Sequence, residues 1–109
     1  MDFKTDKTKT WLEDENGRRI ALLDHPENEK GIVNFAHTEV DDSLAGQGIA
    51  GKMTEFAAKK FREEGKKAEL SCSYSIRWFS EHPEYQDILE DPEKEREKAA
   101  ILAGPACGI

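Results

Sequence analysis

In the first forty residues short apolar stretches alternate with polar turns, the layout of an antiparallel meander, and from residue 49 to 61 the apolar positions recur with a helical period. Residues 7–13 predict a short strand, and Glu15-Asn16-Gly17 supplies the Asn-Gly pair that most strongly marks a hairpin. Residues 18–24 (RRIALLD) answer it as the second strand. The stretch 25–29 is polar and broken by Pro26, which predicts the next turn. Residues 31–40 (GIVNFAHTEV) read as one continuous third strand, with Val33, Phe35, His37 and Glu39 on one face. Ile32, Asn34, Ala36, Thr38 and Val40 share the other, and apolar residues on both faces predict a central strand.

After a loop over 41–47, the stripe Ile49, Met53, Phe56, Ala57 and Phe61 predicts a helix, with Lys52, Glu55, Lys59, Arg62 and Glu63 on its opposite side and Gly65 as its stop. Residues 66–73 alternate again, placing Ala68, Leu70 and Cys72 on one strand face. A short helix over 75–81 carries Ile76, Trp78 and Phe79, and Pro83 closes it. Asp91-Pro92-Glu93 starts a last helix and Gly104-Pro105 ends it. The order is β-β-β-α-β-α with a helical tail, an α+β layout. Residues 1–90 are expected to form the domain and 91–109 a charged tail with little apolar surface, free to dock weakly or to extend into solvent.

A length of 109 residues leaves room for one domain with one ligand site. With 23 acidic and 16 basic residues the net charge is −7, which argues against a nucleic-acid or anionic-membrane partner. No apolar run suits a membrane span, and the first ten residues lack the apolar core of a signal peptide. Two cysteines, Cys72 and Cys107, are too few for a disulfide scaffold, so free thiols in the cytoplasm are expected. His25, His37, His82 and the cysteines show no metal-ligand spacing.

One local charge reversal changes the picture. Residues 46–67 hold six bases (Lys52, Lys59, Lys60, Arg62, Lys66 and Lys67) against three acids, directly after the glycine-rich turn. That points to an anionic small molecule, although charge alone fits a solvated helix face better. The turn itself, Gly46-Gln47-Gly48-Ile49-Ala50-Gly51, stands between a strand and a helix, where backbone amides can hold phosphate. Its spacing is also that of a dinucleotide fingerprint, but three strands precede it and too few residues follow for such a domain. Cys72, sharing a face with Leu70, reads by spacing as a small buried hydrophobe; His37 reads as a packed histidine or a base, and Tyr74 as pocket wall or proton donor.

Several separated motifs in order resemble the small single-domain branch of the GNAT superfamily of N-acetyltransferases. They are His37-Thr38-Glu39-Val40, the turn Gly46 to Ala50, Cys72-Ser73-Tyr74, and His82-Pro83, spanning about residues 8–89. The resemblance implies a mixed sheet and a turn that holds the pyrophosphate of acetyl-CoA, through Gly46, Gln47, Gly48, Ile49, Ala50 and Gly51. Val40 would offer backbone groups to the pantetheine and acetyl parts. Gly48 and Ala50 fit the superfamily's loop, whereas Ala45 stands where Gln or Arg is expected. Cys72 would be the catalytic residue, as nucleophile or as acid toward the CoA thiol, with Tyr74 and His37 as candidate proton carriers. The implied function is acetyl transfer from acetyl-CoA to an amine that the sequence does not identify. The alternative is a non-catalytic CoA-binding or interaction domain, and the expected state is a monomer or weak dimer.

Overall fold

The structure, a computed structural model, describes residues 2–103. Two features of the first hairpin are dictated locally. Asp14 Oδ1 accepts from the amides of Asn16 and Arg18, each at 2.9 Å, and Gly17 takes the positive φ of 81° that the turn requires. The turn sets the register of β2 (Lys9–Glu13) against β3 (Arg19–Asp24), so that Thr10 meets Leu23 and Leu12 meets Ala21 on the buried face. Ahead of β2, the two-residue strand β1 (Lys4–Thr5) pairs along its edge.

The expected third strand is two strands. β4 (Val33–Phe35) pairs in parallel with β6 (Ala68–Leu70), while β5 (His37–Val40) pairs antiparallel with β3. The cause is a one-residue bulge at Ala36. Asp24 lies opposite His37 and Glu27 opposite Val33, so three peptide steps on one side face four on the other. A one-residue shift turns every later side chain to the opposite face. Val33 and Phe35 are therefore buried, yet His37 and Glu39, expected beside them, are exposed, and Thr38 and Val40 turn partly inward. The result is a sheet in the order β1-β2-β3-β5, with the β4-β6 pair continuing past the bulge. Instead of a central strand, β5 is an edge.

Helix α1 (Ile49–Glu63) lays Ile49, Met53, Ala57, Ala58 and Phe61 on the core, with Phe61 edge-on to Phe35 at 6.0 Å. Phe56, expected on that stripe, is 36% exposed and leans on Phe3 instead. Gly65 ends α1 with φ 71°, matching the expected stop. Helix α2 (Ser73–Ser80) starts two residues earlier than expected and buries Ile76, Trp78 and Phe79; a 3-10 segment, Pro83–Ile88, follows it. Helix α3 (Pro92–Ala103) docks rather than extending into solvent. Glu95, only 4% exposed, accepts from the Leu70 amide at 3.2 Å, and Lys98 donates to the Leu70 carbonyl at 2.6 Å. Two charged side chains thus occupy the backbone groups that a further strand beside β6 would have used. The expected helix stop at Gly104-Pro105, like Cys107, lies outside the described residues.

Candidate functional site

Between β5 and α1 the chain makes one 3-10 turn, Asp42–Leu44, capped by Asp41, whose Oδ1 accepts from Ser43 N at 2.9 Å. Asp41 also meets Arg18 at 2.5 Å, and these hydrogen bonds hold its carboxyl below the usual carboxylate range, the Ser43 amide foremost. Gly46 and Gly48 then take φ values of 81° and 69°, and Gly48 caps α1 with no side chain of its own. A Cβ placed on either glycine would meet nothing within 4 Å. Their role is therefore to allow a left-handed backbone and leave the space above it clear. Ile49 is buried, so it presents only its amide, while Gln47 is exposed. The amides of the first helical turn have no intrahelical acceptor, and no acidic residue stands in that turn to offset the helix dipole. This is an anion-binding geometry.

Gly51 serves differently. A Cβ there would lie 3.3 Å from Tyr74 Oη and 3.6 Å from Trp78 Nε1. The missing side chain lets α2 approach the first turn of α1, which brings Tyr74 to the glycine turn. Most of the expected positive surface of α1 is occupied elsewhere. Lys60 donates to Thr5, Arg62 pairs with Asp87, Lys66 pairs with Glu27 at 2.5 Å, and Lys67 donates to the Asp87 carbonyl. Of the six bases, Lys52 and Lys59 keep no such partner among the described residues, and Lys52 sits in the first turn of α1.

Across from the turn, the bulge opens a gap. The Phe35 carbonyl accepts from both Ser71 N and Cys72 N at 3.0 Å, and beyond it β5 stays with β3 while the other strand bends into α2. Among the described residues no strand pairs with the edge of β5 that faces the gap, and Val40 lies at its far end. Cys72, half-buried, is the N-terminal cap of α2, with Sγ 3.5 Å from Thr38 Oγ1. Burial pushes its thiol up, but the Thr38 hydroxyl, the amides of Ser75 and Tyr74, and the Ser75 hydroxyl together pull it below the ordinary thiol value. Tyr74 moves the other way, raised first by burial and then by Glu81 and Cys72.

Tyr74 is therefore brought to the glycine turn at Gly51, Cys72 stands two residues before it at the cap of α2 facing Thr38, and His37 is not part of this group. It stands on the outer side of β5, where Nε2 meets Glu39 Oε2 at 3.0 Å with both side chains more than half exposed. A cavity of about 280 Å³ on the β3–β5 flank, lined by Arg19, Ile20, Glu39 and Asp41, touches the predicted site at Val40 alone. Thr38, Ser75 and Trp78 were not singled out as site residues from the sequence. Ser75 had a legible signal, since Cys72-x-x-Ser75 has the spacing of a helix capping box. Among the described residues no cluster suits a metal ion, and no helix is long and apolar enough to cross a membrane.

A bulged mixed sheet followed by a glycine turn that opens a helix is the layout of an N-acetyltransferase fold. Residues 9–88 match the sequence profile of the GCN5-related N-acetyl-transferases, and the chain belongs to that family. Its structure is similar to the NMR solution structure of a GCN5-like protein from Staphylococcus aureus, at a TM-score of 0.67 and 26% identity, covering 81% of this chain and 86% of that one. Among curated proteins it is 41% identical over 54 residues to Protein NATD1 of Gallus gallus, Mus musculus and Homo sapiens. The matched stretch takes in half of this chain and about half the length of those relatives.

Proposed function

We propose that this chain transfers an acetyl group from acetyl-CoA to an amine. The observation that supports this reading best is the convergence at Gly51, where the wall carrying Tyr74 and Cys72 meets the first turn of α1. Bound acetyl-CoA would supply an acetyl group activated as a thioester. The free amides of the first turn of α1, from Gly48 to Gly51, suit its pyrophosphate, while the Gln47 amide is taken by the Leu44 carbonyl; Gly46 and Gly48 keep the approach open and Lys52 offers a nearby charge. Val40 and the open edge of β5 offer backbone groups to the pantetheine arm.

Two titratable groups pushed in opposite directions suggest a division of roles. Cys72, whose thiol is lowered, is assigned as the nucleophile that takes the acetyl group. Tyr74, which keeps its proton, is assigned as the donor to the departing CoA sulfur. An incoming amine then displaces the cysteine sulfur as thiolate and its surplus proton returns to the Tyr74 phenolate, leaving the acetylated amine and the enzyme as it began. His37, on the outer face of β5, has no part in this assignment. We read the compartment as the cytoplasm and the working unit as a monomer or weak dimer.

The test is turnover of acetyl-CoA with a panel of small amines, polyamines and peptide amines. Acetylated product from the parent and none from Cys72→Ala, with CoA affinity within about threefold, is the expected result; the phosphates bind away from the thiol. CoA binding with no turnover of any amine would favour the non-catalytic reading, which Ala45 in place of Gln or Arg also favours.

A further inference from the structure

Ser75 is fully buried, and its hydroxyl has no hydrogen-bond partner among the described residues. Buried hydroxyls are almost always paired, so this one points to an acceptor not yet counted. Three positions before it stands Cys72, at the cap of α2, with φ −77° and ψ 127°. That is the extended conformation in which a capping Ser, Thr or Asp accepts the amides of the second and third helical residues. Here those amides belong to Tyr74 and Ser75. A neutral thiol is a weak acceptor, and no side-chain cap hydrogen bond forms. A thiolate at the same place would be a strong one.

We propose that Ser75 is a positioning residue for Cys72: its buried hydroxyl, with the Thr38 hydroxyl and the first amides of α2, donates to the sulfur and holds it as a thiolate in the gap. This rests on the reading of Cys72 as the acetyl-accepting residue. In the neutral form the S–H points at Thr38 Oγ1, 3.5 Å away; once the proton leaves, the Thr38 and Ser75 hydroxyls turn to donate. The spacing is that of a capping box, but the contact differs: the Cys72 amide already donates to the Phe35 carbonyl, so the Ser75 hydroxyl is left to donate to the sulfur. It leaves the sulfur charge inside a ring of neutral donors.

Most of the charged groups on the surrounding elements are engaged elsewhere. On β5, His37 and Glu39 pair with each other on the outer face. On α3, Glu95 and Lys98 hold the Leu70 backbone, and on α2 the titratable neighbour is Tyr74, which the sulfur's charge raises. On α1, Lys52 stands in the first turn beside Gly51.

The experiment uses the full chain carrying Cys107→Ser, so that Cys72 is the one remaining thiol. The rate of alkylation by iodoacetamide is followed against pH; the thiolate sulfur displaces iodide, and the midpoint reports the thiol's ionisation. Ser75→Ala is expected to move the midpoint upward and slow alkylation at pH 7 by about threefold or more, with the limiting rate at high pH unchanged. Ser75→Thr, which keeps a hydroxyl, is expected to restore the midpoint. Thr38→Val is expected to raise it as well, and decides the question if Ser75→Ala does not fold. An unmoved midpoint in folded Ser75→Ala, or in Thr38→Val where that variant decides, overturns the proposal. So does a change confined to the high-pH limit, which would mean altered access and not altered ionisation. Thermal stabilisation by CoA is measured on the same proteins. Its absence in the parent would overturn the acetyl-CoA reading and leave the midpoint shifts as the separate test of the cage.

Discussion

His25 shows how one residue sets a pH response. It is fully buried, with Nε2 2.8 Å from Thr10 Oγ1, Nδ1 without a partner among the described residues, and its ring edge-on to Phe61 at 4.9 Å. Burial is the main cause that pulls its pKa below the ordinary histidine value. The folded state therefore resists the proton that the unfolded chain accepts, so stability rises with pH across the window below about 6.5 and is lost as pH falls through it. The carboxylates held low by hydrogen bonds, Asp6, Glu13, Glu27, Asp41 and Asp87, act in a separate and more acidic range. Melting curves between pH 5 and 8 should show a fall in stability toward pH 5 that His25→Phe largely removes; an equal fall in both proteins would place the proton elsewhere. Gly48 gives a second residue-scale prediction. Its φ of 69° makes Gly48→Val unfavourable by about 1–2 kcal/mol, and the branched side chain would stand over the amides. Gly48→Asn, which tolerates this backbone, should melt close to the parent; Gly48→Val should melt lower and bind CoA at least tenfold more weakly.

Among the elements, α3 carries the clearest consequence. Its charges and small apolar surface suggested a tail, yet Glu95 and Lys98 reach the backbone of Leu70, two residues before Cys72. Glu95→Ala should reduce stability by about 1–3 kcal/mol, read by denaturant unfolding, because it strands the buried Leu70 amide. Glu95→Gln keeps an acceptor and should lose less. Equal stability of Glu95→Ala and the parent would show that α3 rests on the fold without supporting it. That docking was illegible in advance because EKEREK carries no apolar period, and the contact is made by side chains meeting a strand end. The bulge was hidden for a different reason: residues 31–40 put apolar side chains on both faces, so a change of face after Ala36 leaves the same trace as one strand buried on both sides. The hairpin, α1 and its glycine stop were legible, since each depends on local turn chemistry or a strong helical period. The candidate site was legible in part. Glycines and Cys72 announce themselves by type, whereas Thr38 and Ser75 acquire meaning only when the bulge and the α2 cap place them beside the sulfur.

For the whole molecule, the central claim is that the glycine turn, the open edge of β5 and the cap of α2 form one acetyl-CoA site on a fold of the GCN5-related family. Ligand that binds only the folded state must raise its melting temperature, but such a shift does not locate the site. The most direct measurement is an amide-resolved NMR titration of the full chain with CoA. The account predicts shifts that saturate together at residues 46–51, 38–40 and 72–75. Saturable shifts confined to the flank lined by Arg19 and Ile20, or no shifts at millimolar CoA, would contradict it.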